Sequence, residues 1–366
     1  MQTYLIPDAM SGVVLTGHGG TEVLEYRQDL PVPRPKAGQV LIRVGASAVN
    51  NTDINTRIGW YSKSIRDATD QGSETGFESL DQKDASWSGK PLVFPLIQGA
   101  DCCGTVVAAG DTVGKHFIGR RVLVRPMHTP SVTSEPYELV TFGSEYDGGF
   151  AEYAVAPVHE VFAVESTLTD EELASFPCAY STAEGMLDRA DLKAGERVLI
   201  TGASGGVGSA AIQLAKRRGA KVIAICSESK SEVVRELGAD LIIYRGQSLQ
   251  TELEAESIDV VVDLVAGSQW PQLLDVLVRG GRYVVSGAIA GPLVELDVRT
   301  LYLKDLSLLG STWQPRQVFE NLIRYIEQGE IRPQVAKVYS LDKLHQAQKD
   351  FISKKWAGKL VIRCHD

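Results

Sequence analysis

The densest chemistry in this chain lies between Arg197 and Ser227. There an apolar run, RVLITGA, leads through SGGVG into a stretch of helical spacing and then into a second apolar run, KVIAICS. Ala203 and Gly205 are small enough for a tight turn and for close approach of backbone to a diphosphate. Gly208 lets the following helix pack closely on the strand. Ser204, Gly206 and Val207 complete the turn, where free N–H groups and the positive end of the helix dipole favour an anion. A glycine pattern alone is weak. Strand, turn, helix and second strand within about 30 residues make it a dinucleotide site.

The second strand run ends at Ser227, where a carboxylate would bond a ribose 2′-hydroxyl. A neutral hydroxyl stands there instead. Lys230 follows, and Tyr244 with Arg245 ends the third strand-like run, so donors could surround a 2′-phosphate and NADPH is the expected coenzyme. If Glu228 rather than Ser227 faces the ribose, the preference reverses; Lys230 and Arg245 also read as ordinary solvated charges.

The elements that must position these residues follow from length and pattern. A chain of 366 residues is long enough for about two domains. From about 10 to 60, short apolar runs broken by Gly and Pro read as strands of a β-rich half. Residues 62 to 91 have no sustained period and read as an exposed excursion; lying directly after Tyr61, they are expected to act as a mobile cover. A second polar stretch runs from His128 to Asp147. From about 190, apolar runs alternate with helix-like EVVRELG and QWPQLLDVLVRG, as in a parallel sheet covered on both faces. The Leu-rich LSLLGST run reads as the last strand of that sheet, whose open edge predicts a homodimer.

Composition narrows the function. With 44% hydrophobic and 23% charged residues the chain is an ordinary globular one, and its net charge of −9 repels a phosphate backbone. Nucleic-acid binding is not expected. No basic-then-apolar leader and no run of 18 apolar residues is present, so export and membrane insertion are not expected either. Five cysteines, two of them adjacent at Cys102 and Cys103, suit a reducing cytoplasm better than a disulfide scaffold.

The stretch GERVLITGASGGVGSAAIQLAK resembles the signature of the medium-chain dehydrogenase/reductase superfamily, within its zinc-independent quinone oxidoreductase, or zeta-crystallin-like, branch. AVNNTD, IQGAD, DGGFAEY, PCAYSTA and AGKLVI resemble further segments of that family, so the likeness runs along nearly the whole chain. The resemblance implies an α/β protein with a GroES-like β-rich catalytic domain, 1–164 and 314–366, and a Rossmann NADP-binding domain, 165–313. It also places Gly287 and Ala288 at the sheet edge along which nicotinamide passes.

Zinc-dependent members hold the metal at positions matched here by Asn50, Ala100 and Cys178, a set with one possible ligand of three. No metal is therefore expected. Without a Lewis acid, hydride transfer to an activated acceptor is easier than oxidation of a plain alcohol, which implies a quinone or an α,β-unsaturated carbonyl as substrate. Related enoyl thioester reductases carry a tyrosine at the position of Tyr61, which makes it the expected proton or hydrogen-bond donor; its other reading is an aromatic wall. Asn50 and Asp53 match positions near the nicotinamide, or else cap local backbone. A 2-enoyl thioester reductase and a non-catalytic NADPH-binding, crystallin- or sensor-like protein stand as alternatives.

Overall fold

Alternating apolar runs in the first half become strands, as their spacing predicts. The computed structural model describes residues 4–130, 135 and 137–365, so part of the polar stretch from 128 to 147 lies outside the described residues. The chain divides into two compact units. The first comprises Met1–Ile65, Gly72–Cys178 and Phe319–Asp366; the second comprises Arg66–Gln71 and Ala179–Val318.

In chain order the early elements are β1 (Ala9–Leu15), β2 (Leu24–Pro31), β3 (Gln39–Ala48), α1 (Asn51–Ile58), β4 (Leu96–Ile97) and β5 (Cys103–Ala109). Then come β6 (Arg121–Val124), β7 (Met127–His128), β8 (Val140–Thr141), β9 (Tyr153–Pro157), β10 (Val161–Ala163), α2 (Asp170–Leu173) and α3 (Pro177–Arg189). The later elements used below are β11 (Arg197–Ile200), α4 (Gly206–Arg217), β12 (Lys221–Cys226), β13 (Leu241–Tyr244), β14 (Ile258–Asp263), β15 (Leu277–Val285), β16 (Ser307–Gly310), β17 (Val335–Ser340) and β18 (Lys359–Arg363).

In the first unit β1 lies between β2 and β4, and a larger sheet runs β10-β6-β5-β3-β18-β17 with β9 also paired to β3. Val40, Leu41, Ile42 and Val44 of β3 are fully buried, so this strand is the axis of the core. Its antiparallel pairing sets Ala48 opposite Val361, which brings the end of β3 beside the start of β18. The chain then turns into α1, which stops at Gly59 with φ +74, a left-handed conformation that glycine adopts without Cβ strain.

Residues 62 to 91 are exposed over much of their length, as expected, but they also reach into the interior. Ser62, Ile65, Thr69, Ser73, Ala85 and Ser86 are buried. Hydroxyls and carboxylates satisfy the local backbone: Ser62 Oγ accepts from Asp81 N at 3.0 Å, Asp84 Oδ2 from Lys63 N at 2.9 Å, and Ser86 Oγ from Lys90 N at 3.0 Å. Such turns need no apolar period to become ordered.

In the second unit six parallel strands run β13-β12-β11-β14-β15-β16 among the described residues, the doubly wound Rossmann order. The central strands β11, β12 and β14 are nearly continuous apolar runs because both their faces are covered: Val198, Leu199, Ile200, Val222, Val260, Val261 and Val262 are all buried. One expected helix is shorter than its pattern. Helix is present only over Trp270–Asp275, and Leu277 already pairs with Ile258 as β15 begins. Gly280, at φ +73, cannot extend a right-handed helix, and the strand pairing claims the residues before it. Among the described residues no helix is long and apolar enough to cross a membrane.

Candidate active site

The turn after β11 has the geometry its residue types require. Gly202 takes φ +58, Gly205 N donates to Gly202 O at 3.0 Å, and α4 opens at Gly206 with Gly205 as its N-cap. No side chain caps this helix, so the N–H groups of Gly206, Val207 and Gly208 at its first turn have no intrahelical partner. A Cβ at Gly208 would stand 2.4 Å from Gly202 O and 2.6 Å from Ala203 Cα, so any larger residue would push α4 off the turn. A Cβ at Gly205 would meet only Gly202 O, at 3.4 Å, leaving the outer side of the turn open. Ala203 N is anchored to Ile225 O at 3.1 Å, while Ser204 sits partly exposed in the open part of the turn.

At the ends of β12 and β13 the structure gathers cations. Arg245 N donates to Cys226 O at 2.8 Å, which ties the two strand ends together. Burial first, and then the charge of Arg245, holds the Lys230 ammonium below its usual range. Lys230, Arg235 and Arg245 all act on the buried Cys226 thiol, although burial outweighs them and raises it. Ser227 caps the short turn Glu228–Lys230, its hydroxyl 3.3 Å from that of Ser229, and Tyr244 is exposed at the edge.

A buried carboxylate that sequence reasoning passed over knits the strand ends. Asp263 Oδ1 accepts from Thr201 Oγ1 at 2.6 Å and Val265 N at 2.9 Å, and its Oδ2 accepts from the Tyr283 hydroxyl at 2.6 Å. The bond raises the Tyr283 phenol, as do burial, the largest cause, and the carboxylate's charge. Asp263 thereby joins β11, β14 and β15 where the strands end and holds Ala266 at φ +53. Gly287 follows β15, and a Cβ there would stand 2.9 Å from Leu264 O; Ala288 beside it is partly buried. These features fit a dinucleotide: unpaired N–H groups for the diphosphate, a small residue beside Leu264, and cations for an anionic ribose.

The first unit holds the other cluster. Asn50 sits between β3 and α1, and its backbone N donates to Asp53 Oδ2 at 2.7 Å. Its amide nitrogen donates to Ala48 O at 3.0 Å and Asp101 Oδ2 at 2.7 Å, which uses both hydrogens. Lys359, the first residue of β18, donates from Nζ to Asn50 Oδ1 at 2.6 Å and to Asp101 Oδ2 at 3.0 Å. Asp101 Oδ1 accepts from Cys178 N at 2.6 Å. The side chains of Lys359 and Asp101 are 4% and 0% exposed, so this is an internal ion pair.

Asp53 Oδ1 is buried and has no hydrogen-bond partner. Burial pushes its carboxyl from 3.8 up to about 7, the Asp101 charge adding to the rise while Asn50 N and Lys359 oppose it. Tyr61 donates to Thr52 Oγ1 at 3.0 Å, and burial raises its phenol above the usual range. Thr52, Asp53 and Asn55 all lie on α1, so one helix holds both Asp53 and the anchor of Tyr61.

A catalytic metal does not fit this set. At the three positions that hold zinc in metal-dependent relatives stand the Asn50 amide, the Ala100 methyl and the Cys178 thiol, and the Lys359 ammonium already occupies Asn50 Oδ1. Among the described residues no group of three His, Cys, Asp or Glu side chains could hold a metal ion. Lys359 lies in the AGKLVI segment, and its sequence signal is a lone lysine opening an otherwise apolar strand.

Residues 36–166 match the family model described as alcohol dehydrogenase GroES-like domain, and residues 206–328 match that described as zinc-binding dehydrogenase. Along 96% of its length the chain is 31% identical to the quinone oxidoreductase of Lama guanicoe, covering 97% of that protein. It is 29% identical to the acryloyl-coenzyme A reductase of Metallosphaera sedula, over 96% of this chain and 99% of that one. Among solved structures, a candidate alcohol dehydrogenase from Sinorhizobium meliloti 1021 is 44% identical over 98% of this chain and 97% of its own, with a TM-score of 0.87. The 2-octenoyl-CoA carboxylase reductase CinF, solved with NADP and 2-octenoyl-CoA, is 27% identical over 98% and 88%, with a TM-score of 0.81.

Proposed function

Because the chain belongs to the medium-chain dehydrogenase/reductase superfamily, we propose that it is an NADPH-dependent oxidoreductase that works without zinc on a quinone or an α,β-unsaturated carbonyl. The observation that carries this reading is the buried cluster of the first unit, where a lysine ammonium bonds Asp101 and also Asn50, one of the positions that the sequence likeness sets against zinc ligands. Oxidising a plain alcohol needs its proton removed and its alkoxide stabilised, and nothing in this set supplies a Lewis acid. Reducing an activated acceptor needs only a donor for the developing oxyanion.

A bound reduced nicotinamide supplies the hydride. The α4 N-terminus and the turn Ala203–Gly208 hold the diphosphate, and Gly287 and Ala288 border the nicotinamide end. Ser227, Lys230, Tyr244 and Arg245 take the 2′-phosphate, a reading supported by the two cations at these strand ends, where the charge of Arg245 acts on Lys230. Tyr61 donates to the acceptor oxygen by turning its one hydrogen away from Thr52 Oγ1, whose own hydroxyl then donates to the phenol oxygen and keeps its direction. Asn50 and Asp53 shape that end of α1, and the protonated form of Asp53 is available near neutral pH. The named activities of the quinone oxidoreductase and acryloyl-CoA reductase relatives support the two acceptor classes. Cys102, Cys103, Cys178, Cys226 and Cys364 are buried thiols outside any disulfide, which suits a reducing cytoplasm.

The test is NADPH consumption by the purified chain with 1,4-naphthoquinone and with pent-3-en-2-one, before and after dialysis against a chelator. Turnover that survives chelation supports the reading. Binding of NADPH without turnover of either acceptor, or activity lost to chelator and restored by zinc, overturns it.

A further inference from the structure

Two rings of the first unit lie almost parallel. The planes of Tyr61 and Trp87 differ by 2°, with centroids 6.5 Å apart. Each ring is held by its own support. Thr52 anchors the Tyr61 hydroxyl, and Trp60 meets its ring at 71° with centroids 5.8 Å apart. Trp87 follows the buried pair Ala85 and Ser86, and the turn that carries it is closed by Gly89 N donating to Ser86 O at 3.0 Å and Ser88 N donating to Glu145 Oε1 at 3.2 Å. These two bonds set the direction in which the turn presents its side chain.

Core packing does not explain this tryptophan. Trp60 and Phe77, two other aromatic residues of this part of the chain, pack against the apolar core of the unit, whereas among the described residues the ring contact of Trp87 is with Tyr61. Both Tyr61 and Trp87 are half-buried. A large apolar ring held rigidly beside the expected proton donor, in a segment otherwise rich in Ser, Asp and Lys, is placed to touch a ligand. Two parallel rings present π faces in a single orientation. A flat conjugated ring gains offset stacking against such faces, while an open-chain acceptor gains only contact area.

We propose that Trp87 is a specificity-determining residue, which with Tyr61 selects an acceptor carrying a flat conjugated ring, a quinone or aryl enone, over an open-chain enone or thioester. This rests on the reading of Tyr61 as the group that faces the acceptor. The energy of one stacked pair corresponds to a preference of about 10-fold.

The experiment compares the parent chain, Trp87→Ala and Trp87→Phe, each saturated with NADPH. It measures KM for 1,4-naphthoquinone and pent-3-en-2-one, and the dissociation constant of 1-naphthol, a flat ring the chain cannot reduce by hydride addition. Trp87→Ala should raise the naphthoquinone KM and the 1-naphthol dissociation constant by about 10-fold, with pent-3-en-2-one moving less than twofold. Trp87→Phe should restore most of the loss, since it keeps a π face. Equal losses for both acceptors, or unchanged values for all three compounds, overturn the proposal. If the parent reduces neither acceptor yet 1-naphthol binding still depends on Trp87, the oxidoreductase reading fails and the flat-ring site stands.

Discussion

Replacing Lys359 with methionine keeps most of the side-chain volume and deletes one buried charge. In the parent, Nζ lies 2.6 Å from Asn50 Oδ1 and 3.0 Å from Asp101 Oδ2, with almost no solvent contact on either side of the pair. Removing one partner of a buried ion pair costs about 3–5 kcal/mol, because the other charge stays in a medium that cannot solvate it. Asp101 would retain two donors, Cys178 N at 2.6 Å and Asn50 Nδ2 at 2.7 Å, which places the expected loss at the lower end, about 3 kcal/mol. Adding Asp101→Asn removes the orphaned charge, so the double variant should be more stable than Lys359→Met alone. Urea unfolding at pH 7.5 measures both, and hydrogen exchange at the amides of β3 and β18 reports the first unit separately if the two units unfold apart. A loss under 1 kcal/mol for Lys359→Met, or a double variant no more stable than the single one, would refute the account of this pair.

Four other outcomes are expected. Tyr61→Phe should lower kcat on pent-3-en-2-one by roughly 10-fold to 1000-fold with little change in NADPH binding, and less on a quinone, which needs the hydrogen bond less; equal kcat values where hydride transfer limits the rate return Tyr61 to an aromatic wall. Lys230→Ala with Arg245→Ala should weaken NADPH binding by about 100-fold, about 2.7 kcal/mol, and NADH binding by less than 3-fold, measured by coenzyme fluorescence titration; a uniform loss counts against the 2′-phosphate site. The Asp53 carboxyl, raised in the folded state from 3.8 to about 7, holds a proton that the unfolded chain releases. Its contribution is therefore full below about pH 4 and lost as pH rises through about 7, so Asp53→Asn should flatten stability between those values; an unchanged slope contradicts the assignment. Finally, β16 pairs only with β15 among the described residues, and Val298, Tyr302, Leu303 and Leu308 are exposed near that edge. A homodimer is expected, and a monomeric mass by light scattering across a range of concentrations would exclude it.

What could be read from the amino-acid order alone was whatever depends on neighbours in the chain. The turn from Ala203 to Gly208 is set by small residues between two apolar runs, and a helix period, a strand period and a positive-φ glycine are all local properties. The central parallel strands β11, β12 and β14 announced themselves for the same reason, since strands covered on both faces are apolar nearly throughout. Local pattern misled where tertiary pairing competed with it. Leu277 to Gly280 carries a helical spacing but pairs as strand, and residues 62 to 91 look solvated because their order comes from hydroxyl and carboxylate bonds to backbone. The cluster around Asn50 was decided by the fold alone. Lys359 is 309 residues from Asn50 and 258 from Asp101, and only the pairing of β18 with β3 makes the three neighbours. No spacing in the chain encodes that meeting; once the strands pair in a dry interior, the amide, carboxylate and ammonium must be satisfied by one another and by nearby backbone such as Ala48 O and Cys178 N.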